Sequence, residues 1–143
     1  MTKINPYLNF NGDCLEAFGF YKDIFGGEFS YVGRYSDMPA DEGNPVPDEA
    51  KDLIMPISLP ISKEITLMGS DVHEAFSQSV QPGSMVELLI SVDSKAEADR
   101  IWTKLSEGAT IQMPLEAAFW GDYYGNLIDK FGIRWSVNCP IEE

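Results

Sequence analysis

The chain has 143 residues, 44% of them hydrophobic and 12% aromatic, which is enough for one domain with a real core and argues against disorder. Its 23 acidic and 10 basic side chains leave a formal net charge of −13, which repels a phosphate backbone and excludes DNA or RNA as an expected partner. The N-terminal MTKINPYLNF has no apolar run before a cleavage site and nothing approaches 18 consecutive apolar residues, so neither a signal peptide nor a membrane span is expected. Cys14 and Cys139 have no metal-ligand spacing and no disulfide framework, so reduced thiols in a cytoplasmic protein are expected.

In chain order, Ile4 to Phe10 alternates and meets Asn11-Gly12, a strand and a turn. A helix is expected over Asp13 to Phe25, with Ala17, Phe18, Tyr21, Ile24 and Phe25 on one face. Asp13 and Glu16 are spaced as a capping box, and Gly26-Gly27 is the stop. Glu28 to Tyr35 reads as a second strand. Ser36 to Asp52 holds three prolines and six acids without periodicity and reads as a long loop, suited to a lid, an interface element or a flexible excursion. Strands resume at Leu53 to Leu59 and Ile65 to Gly69.

After a linker of about residues 71–84, the pattern repeats. Met85 to Val92 alternates as a strand, Ser94 and Glu97 form another capping box, and a helix carries Ala98, Ile101, Trp102 and Leu105 before Gly108. Asp13/Ser94, Glu16/Glu97, Ala17/Ala98, Tyr21/Trp102, Ile24/Leu105 and Gly27/Gly108 all lie 81 residues apart. Ala109 to Met113, Ala118 to Gly121 with its neighbours, and Ile133 to Asn138 complete the second half. The expected fold is α+β, a single domain over residues 1–143. It comprises two βαβββ modules (about 1–70 and 85–143) whose curved mixed sheets enclose a cavity.

Strand parity selects candidates for that cavity. Leu8 and Phe10 suit the helix side, leaving Asn5, Tyr7 and Asn9 inward. Likewise Val86, Leu88, Ile90 and Val92 leave Glu87, Leu89 and Ser91 inward. Glu87 stands out because a carboxylate among apolar neighbours is costly unless paired or working, with an edge-exposed acid of no role as the competing reading. Glu116, just before the aromatic run, reads either as an acid at the cavity mouth or as an exposed loop acid. Trp120, Tyr124 and Trp135 offer aromatic walls, with core as the competing reading for Trp135, and Tyr123 and Tyr124 could add hydroxyls. Asp129 is set to accept hydrogen bonds in the turn before Gly132. His73 stands alone, and Ser70, Asp71 and His73 lack the context of a nucleophilic triad. No GxGxxG or Walker motif is present.

The segments YLNFNGDCLEAFGFYKDIFGGEF (Tyr7 to Phe29), RYSDMP (Arg34 to Pro39), VDSKAEADRIWTKLSEG (Val92 to Gly108) and MPLEAAFWGDYYGNLIDKFGIRWSVN (Met113 to Asn138) resemble the vicinal oxygen chelate superfamily. This is the superfamily of glyoxalase I, bleomycin- and fosfomycin-resistance proteins and extradiol dioxygenases. The closest likeness is to its PhnB-like, demethylubiquinone methyltransferase-like branch. The resemblance implies the glyoxalase/bleomycin-resistance fold and a homodimer. It also places the superfamily's metal-ligand positions at about Asn5, Glu87, Met68 and Ser136. Pro56, in IMPISLPI, stands where the branch often has a histidine. One carboxylate without imidazoles does not make a Zn²⁺ or Fe²⁺ site, so no metal and no cofactor are expected.

Three readings follow. The first is a metal-independent protein that binds a small molecule through Tyr7, Asn9, Glu87, Trp120, Tyr124 and Trp135, the acidic chain suiting a cationic guest. The second is a metal-dependent lyase, isomerase or dioxygenase-like enzyme on a small oxygenated metabolite, with Glu87 and Glu116 as catalytic candidates. The third is a structural or interaction dimer.

Overall fold

A computed structural model describes residues 2–39, 43, 45–76 and 78–141. The chain divides between Val80 and Gln81 into two compact units. In the first, β1 (Tyr7–Phe10), α1 (Cys14–Phe25), β2 (Tyr31–Arg34), β3 (Ile54–Pro60) and β4 (Thr66–Asp71) form a sheet of order β1-β4-β3-β2. Only β1 and β4 run parallel. In the second, β5 (Leu88–Ser91), α2 (Lys95–Leu105), β6 (Thr110–Ala117), β7 (Asp122–Ile128) and β8 (Arg134–Pro140) repeat the plan as β5-β8-β7-β6.

The two helices sit where the 81-residue echo puts them. On α1, Cys14, Ala17, Phe18, Tyr21 and Ile24 are buried at spacings of three and four. Gly26 and Gly27, both at positive φ, end the helix. Phe18 lies against Gly69 of β4. A Cβ on Gly69 would stand 2.6 Å from the Phe18 ring and 2.8 Å from the Leu8 carbonyl, so a side chain there is excluded. On α2, Ala98, Ile101 and Leu105 are buried.

The caps differ. Ser94 Oγ accepts the Glu97 N–H at 3.1 Å as expected, while the Glu97 carboxylate turns to Arg100. Asp13 makes no side-chain cap bond. Its role falls to Asp71 at the end of β4, whose Oδ1 accepts Gly12 N–H (3.0 Å) and Cys14 N–H (2.9 Å). Asp71 Oδ2 accepts Ile54 N–H at 2.9 Å, and its carbonyl accepts the Tyr35 hydroxyl at 2.7 Å. One buried residue thus ties the start of α1, the start of β3 and the end of β4 together.

The expectation of curved sheets wrapped around a cavity is corrected. Each sheet is an open four-stranded ladder whose end strands, β1 and β2 or β5 and β6, do not pair with one another. The physical reason is strand number. Twist of about 20–25° per strand pair over three pairs falls far short of the closure that about eight strands achieve.

Two smaller corrections follow. Ala118 to Gly121 is a turn rather than a strand, closed by the Gly121 N–H on the Ala118 carbonyl with Gly121 at φ 100°. β5 begins at Leu88, leaving Met85 to Glu87 as exposed lead-in. The Ser36 to Asp52 excursion is tied at its neck by Ser36 N–H to the Lys51 carbonyl and Tyr35 N–H to the Leu53 carbonyl, each 3.0 Å. Short 3-10 turns form at Tyr35–Asp37 and Asp48–Ala50. Residues 40–42 and 44 of that segment lie outside the described residues.

Candidate functional site

The second sheet has two unlike faces. Gly125 pairs with Val137, and a Cβ on Gly125 would meet the Trp102 ring at 2.9 Å, so this parity faces α2. Trp135, Val137 and Cys139 share it and are buried. Trp135 donates its indole N–H to Asp129 Oδ2 at 2.8 Å. Asp129 Oδ1 accepts from Phe131 and Ile133, the turn role expected of it. Tyr123 belongs to this face too. Its hydroxyl donates to Asp99, a bond that, with some burial, raises its pKa, and Lys95 lies 4.7 Å from its ring centre.

The opposite parity carries the candidates. Register places Leu89 beside Ser136 and Ser136 beside Asn126, and it places Tyr124 between Asn138 and Glu116. Side chains directly opposite on adjacent strands stand close on one face. The Tyr124 hydroxyl makes a loose 3.5 Å contact with Glu87 Oε2, and Asn126 Nδ2 approaches that hydroxyl at 3.4 Å. From the Ala118 to Gly121 turn, Trp120 meets Tyr124 edge-on with ring centres 5.5 Å apart, and Phe119 meets Trp120 at 5.0 Å.

These aromatics border an open groove of about 320 Å³ whose lining includes Gln112, Met113, Glu116, Phe119, Trp120 and Tyr124. Trp120 is 46% exposed, high for so large an apolar side chain. On the same parity, Ser136 Oγ is buried and has no hydrogen-bond partner among the described residues. Of the candidates, Glu87, Glu116, Trp120 and Tyr124 therefore share one face of the second unit, and Trp135 is on the other. Tyr7 and Asn9 lie on β1 of the first unit, on the parity opposite Leu8 and Gly69, and both are exposed.

The sequence reading missed Gln112, Met113 and Phe119. Extending the alternation of Ala109 to Met113 through Glu116 was the available signal, since β6 runs to Ala117.

The superfamily's metal positions were tested against the side chains present. Asn5 Oδ1 already accepts the Thr66 N–H at 2.9 Å, Met68 offers a thioether, Ser136 a hydroxyl and Glu87 an exposed carboxylate. A set with one carboxylate and no imidazole or thiolate does not fit Zn²⁺ or Fe²⁺. Among the described residues no group of three or more His, Cys, Asp or Glu could hold a metal ion. His73 accepts Ala75 N–H at 3.1 Å and faces Glu49 at 3.8 Å, while Asp71 is taken up by backbone donors, so no triad assembles with Ser70. No helix among the described residues is long and apolar enough to cross a membrane.

The repeated strand order, with one helix in each unit, is the arrangement of strands and helices that the resemblance to the vicinal oxygen chelate superfamily implies. Residues 2–138 match the family described as 3-demethylubiquinone-9 3-methyltransferase, and the chain belongs to it. The Mycobacterium tuberculosis protein Rv0887c is 46% identical, over 98% of this chain and 75% of its own length. The crystal structure of PA1353 from Pseudomonas aeruginosa is 37% identical with a TM-score of 0.84, covering 99% of this chain and 100% of that one. The PhnB protein from Bacillus cereus shares the fold at TM-score 0.75 and 23% identity, over 96% and 99% of the two chains. Proteins of the glyoxalase/bleomycin-resistance group share it at TM-scores of 0.59 and 0.61.

Proposed function

We propose that this chain is a small-molecule-binding protein of the glyoxalase/bleomycin-resistance type that works without a resident metal ion. The ligand occupies the groove bordered by Trp120, Tyr124 and Glu116, and the protein acts as a homodimer in the cytoplasm. The observation that carries the reading is the groove itself: about 320 Å³, with a half-exposed Trp120 braced edge-on by Tyr124. Its volume lies at the lower end of the range of small-ligand sites, and it combines aromatic surface with a few polar groups. Trp120 offers a flat apolar wall, Tyr124 a hydroxyl, and Glu116 and Glu87 charge. The two buried free thiols, Cys14 and Cys139, accord with a reducing compartment. The family's descriptive label does not by itself assign a reaction, because a shared fold hosts many chemistries.

The test is a metabolite screen read by ¹⁵N-indole NMR, which resolves Trp102, Trp120 and Trp135. Ligands are expected to move Trp120 saturably while Trp102 and Trp135 stay in place, and Trp120→Ala is expected to abolish binding without unfolding the protein. A ligand that binds tightly yet leaves Trp120 unmoved refutes the assignment. Retention of one equivalent of Zn²⁺, Mn²⁺, Ni²⁺ or Fe²⁺ per chain by elemental analysis refutes the metal-free mode.

A further inference from the structure

We infer that the ligand class of this groove is a small organic cation, an alkylammonium or quaternary ammonium group seated against Trp120 and Tyr124 and flanked by Glu116 and Glu87. The inference rests on the groove being a binding site and adds the charge of what it takes. Three observations carry it.

Trp120 is 46% exposed and the neighbouring Phe119 98% exposed, while Tyr124 is half-buried. An open aromatic surface suits a cation, which meets the negative ring face while keeping part of its hydration; a neutral apolar guest gains most from enclosure. The carboxylates stand at both ends of Tyr124. Glu116 is its register partner on β6, and Glu87 meets its hydroxyl, yet among the described residues neither makes an ion pair. The basic residue at the rim, Arg134, is engaged by Gln112 Oε1 at 2.9 Å and the Gly83 carbonyl at 2.8 Å, and among the described residues no Lys or Arg lines the groove.

The net charge of −13 adds a long-range field of the same sign, which draws a cation to the molecule.

The test compares choline with 3,3-dimethylbutan-1-ol, which has the same shape with carbon in place of the charged nitrogen. Both are titrated into the full chain with the Trp120 indole signal as readout. Choline is expected to bind about tenfold more tightly than the alcohol, the difference reflecting cation–π and carboxylate attraction. Glu116→Gln and Glu87→Gln, both at exposed positions, should each weaken choline several-fold and leave the alcohol unchanged. Raising the salt should weaken choline alone.

Equal binding of the two probes, or tighter binding of the alcohol, overturns the cation inference while the groove stands as a binding site. If neither probe moves Trp120, and it is also silent to every compound in the metabolite screen, both readings fall. A Trp120 signal that changes with protein concentration instead shows a second copy of the chain covering the groove, and that too overturns the inference.

Discussion

Replacing Asp71 by Asn tests whether one buried carboxylate organises the first unit. Asp71 is 2% exposed and accepts three backbone N–H groups, from Gly12, Cys14 and Ile54, at 2.9 to 3.0 Å. An amide has one acceptor oxygen and one NH₂. If the oxygen keeps Gly12 and Cys14, the NH₂ faces the Ile54 donor, and that bond becomes a clash of two donors. Losing a charge-assisted bond costs about 1.5–3 kcal/mol, and an unsatisfied buried donor adds about 1–3 kcal/mol. Relief from burying a charge returns part of this, so the expected net loss is about 3 kcal/mol, a large share of the 5–15 kcal/mol typical of a domain. Asp71→Ala, which abandons all three donors, is expected to cost more. Urea unfolding followed by circular dichroism measures both, with the slope on denaturant checked for constancy. A loss below about 1 kcal/mol for Asp71→Asn refutes the reasoning, since it would mean these donors are satisfied equally well by an uncharged group.

Ser94→Ala should cost about 1 kcal/mol in the same assay, because the Ser94 hydroxyl accepts the Glu97 N–H. Asp13→Ala should stay within about 0.5 kcal/mol, because Asp13 makes no side-chain cap bond. Burial, followed by the charges of Asp71 and Asp13, pushes the Cys14 thiol pKa well up. The folded chain then keeps a proton that the unfolded chain releases above about pH 8.5, so this contribution is intact below that pH and declines as pH rises, by up to about 1.4 kcal/mol per unit. Urea titrations between pH 8 and 10 should show that slope flattening in Cys14→Ala, and an unchanged slope refutes the linkage.

The helices were legible because their signals are local. Buried residues at three- and four-residue spacing mark both α1 and α2, Ser94 caps α2 as its position implies, and Gly26-Gly27 ends α1, each signal lying within one turn of the backbone it controls. Asp71 was not legible as a cap, since the donors at Gly12 and Cys14 lie 59 and 57 residues away in the chain. Openness of the sheets was equally hidden, because alternation reports which way a side chain points and says nothing about whether end strands meet. In the site, parity placed Glu87 beside Leu89 and Ser91, and short-range spacing brought Glu116, Trp120 and Tyr124 together. Trp135 shared their aromatic character but the opposite parity, in step with Val137 and Cys139. The run Ala118-Phe119-Trp120 read as a strand because it is apolar. Its side chains are instead displayed on a turn, with Phe119 98% exposed.

That turn is also where the two units part company. Both have the same strand order and the same helix position, so the repeat constrains the scaffold and leaves the edge strands free to differ. In the first unit the edge strand β2 has four residues and leads directly into the tied excursion after Tyr35. In the second, β6 has eight residues, and its register with β7 shifts twice, between Ile111 and Met113 and again between Met113 and Glu116. Such irregularities bend an edge strand and re-aim its side chains. Pro114 falls within the second shift and gives no N–H to a ladder, so the break costs no hydrogen bond at that position. The irregular stretch lines the groove with Gln112, Met113 and Glu116, while the following turn, its reversal eased by Gly121 at positive φ, holds Trp120 over Tyr124. The candidate site is therefore built from the part of the second unit where the regular ladder is interrupted, on a scaffold whose paired central strands do not need to change to accommodate it.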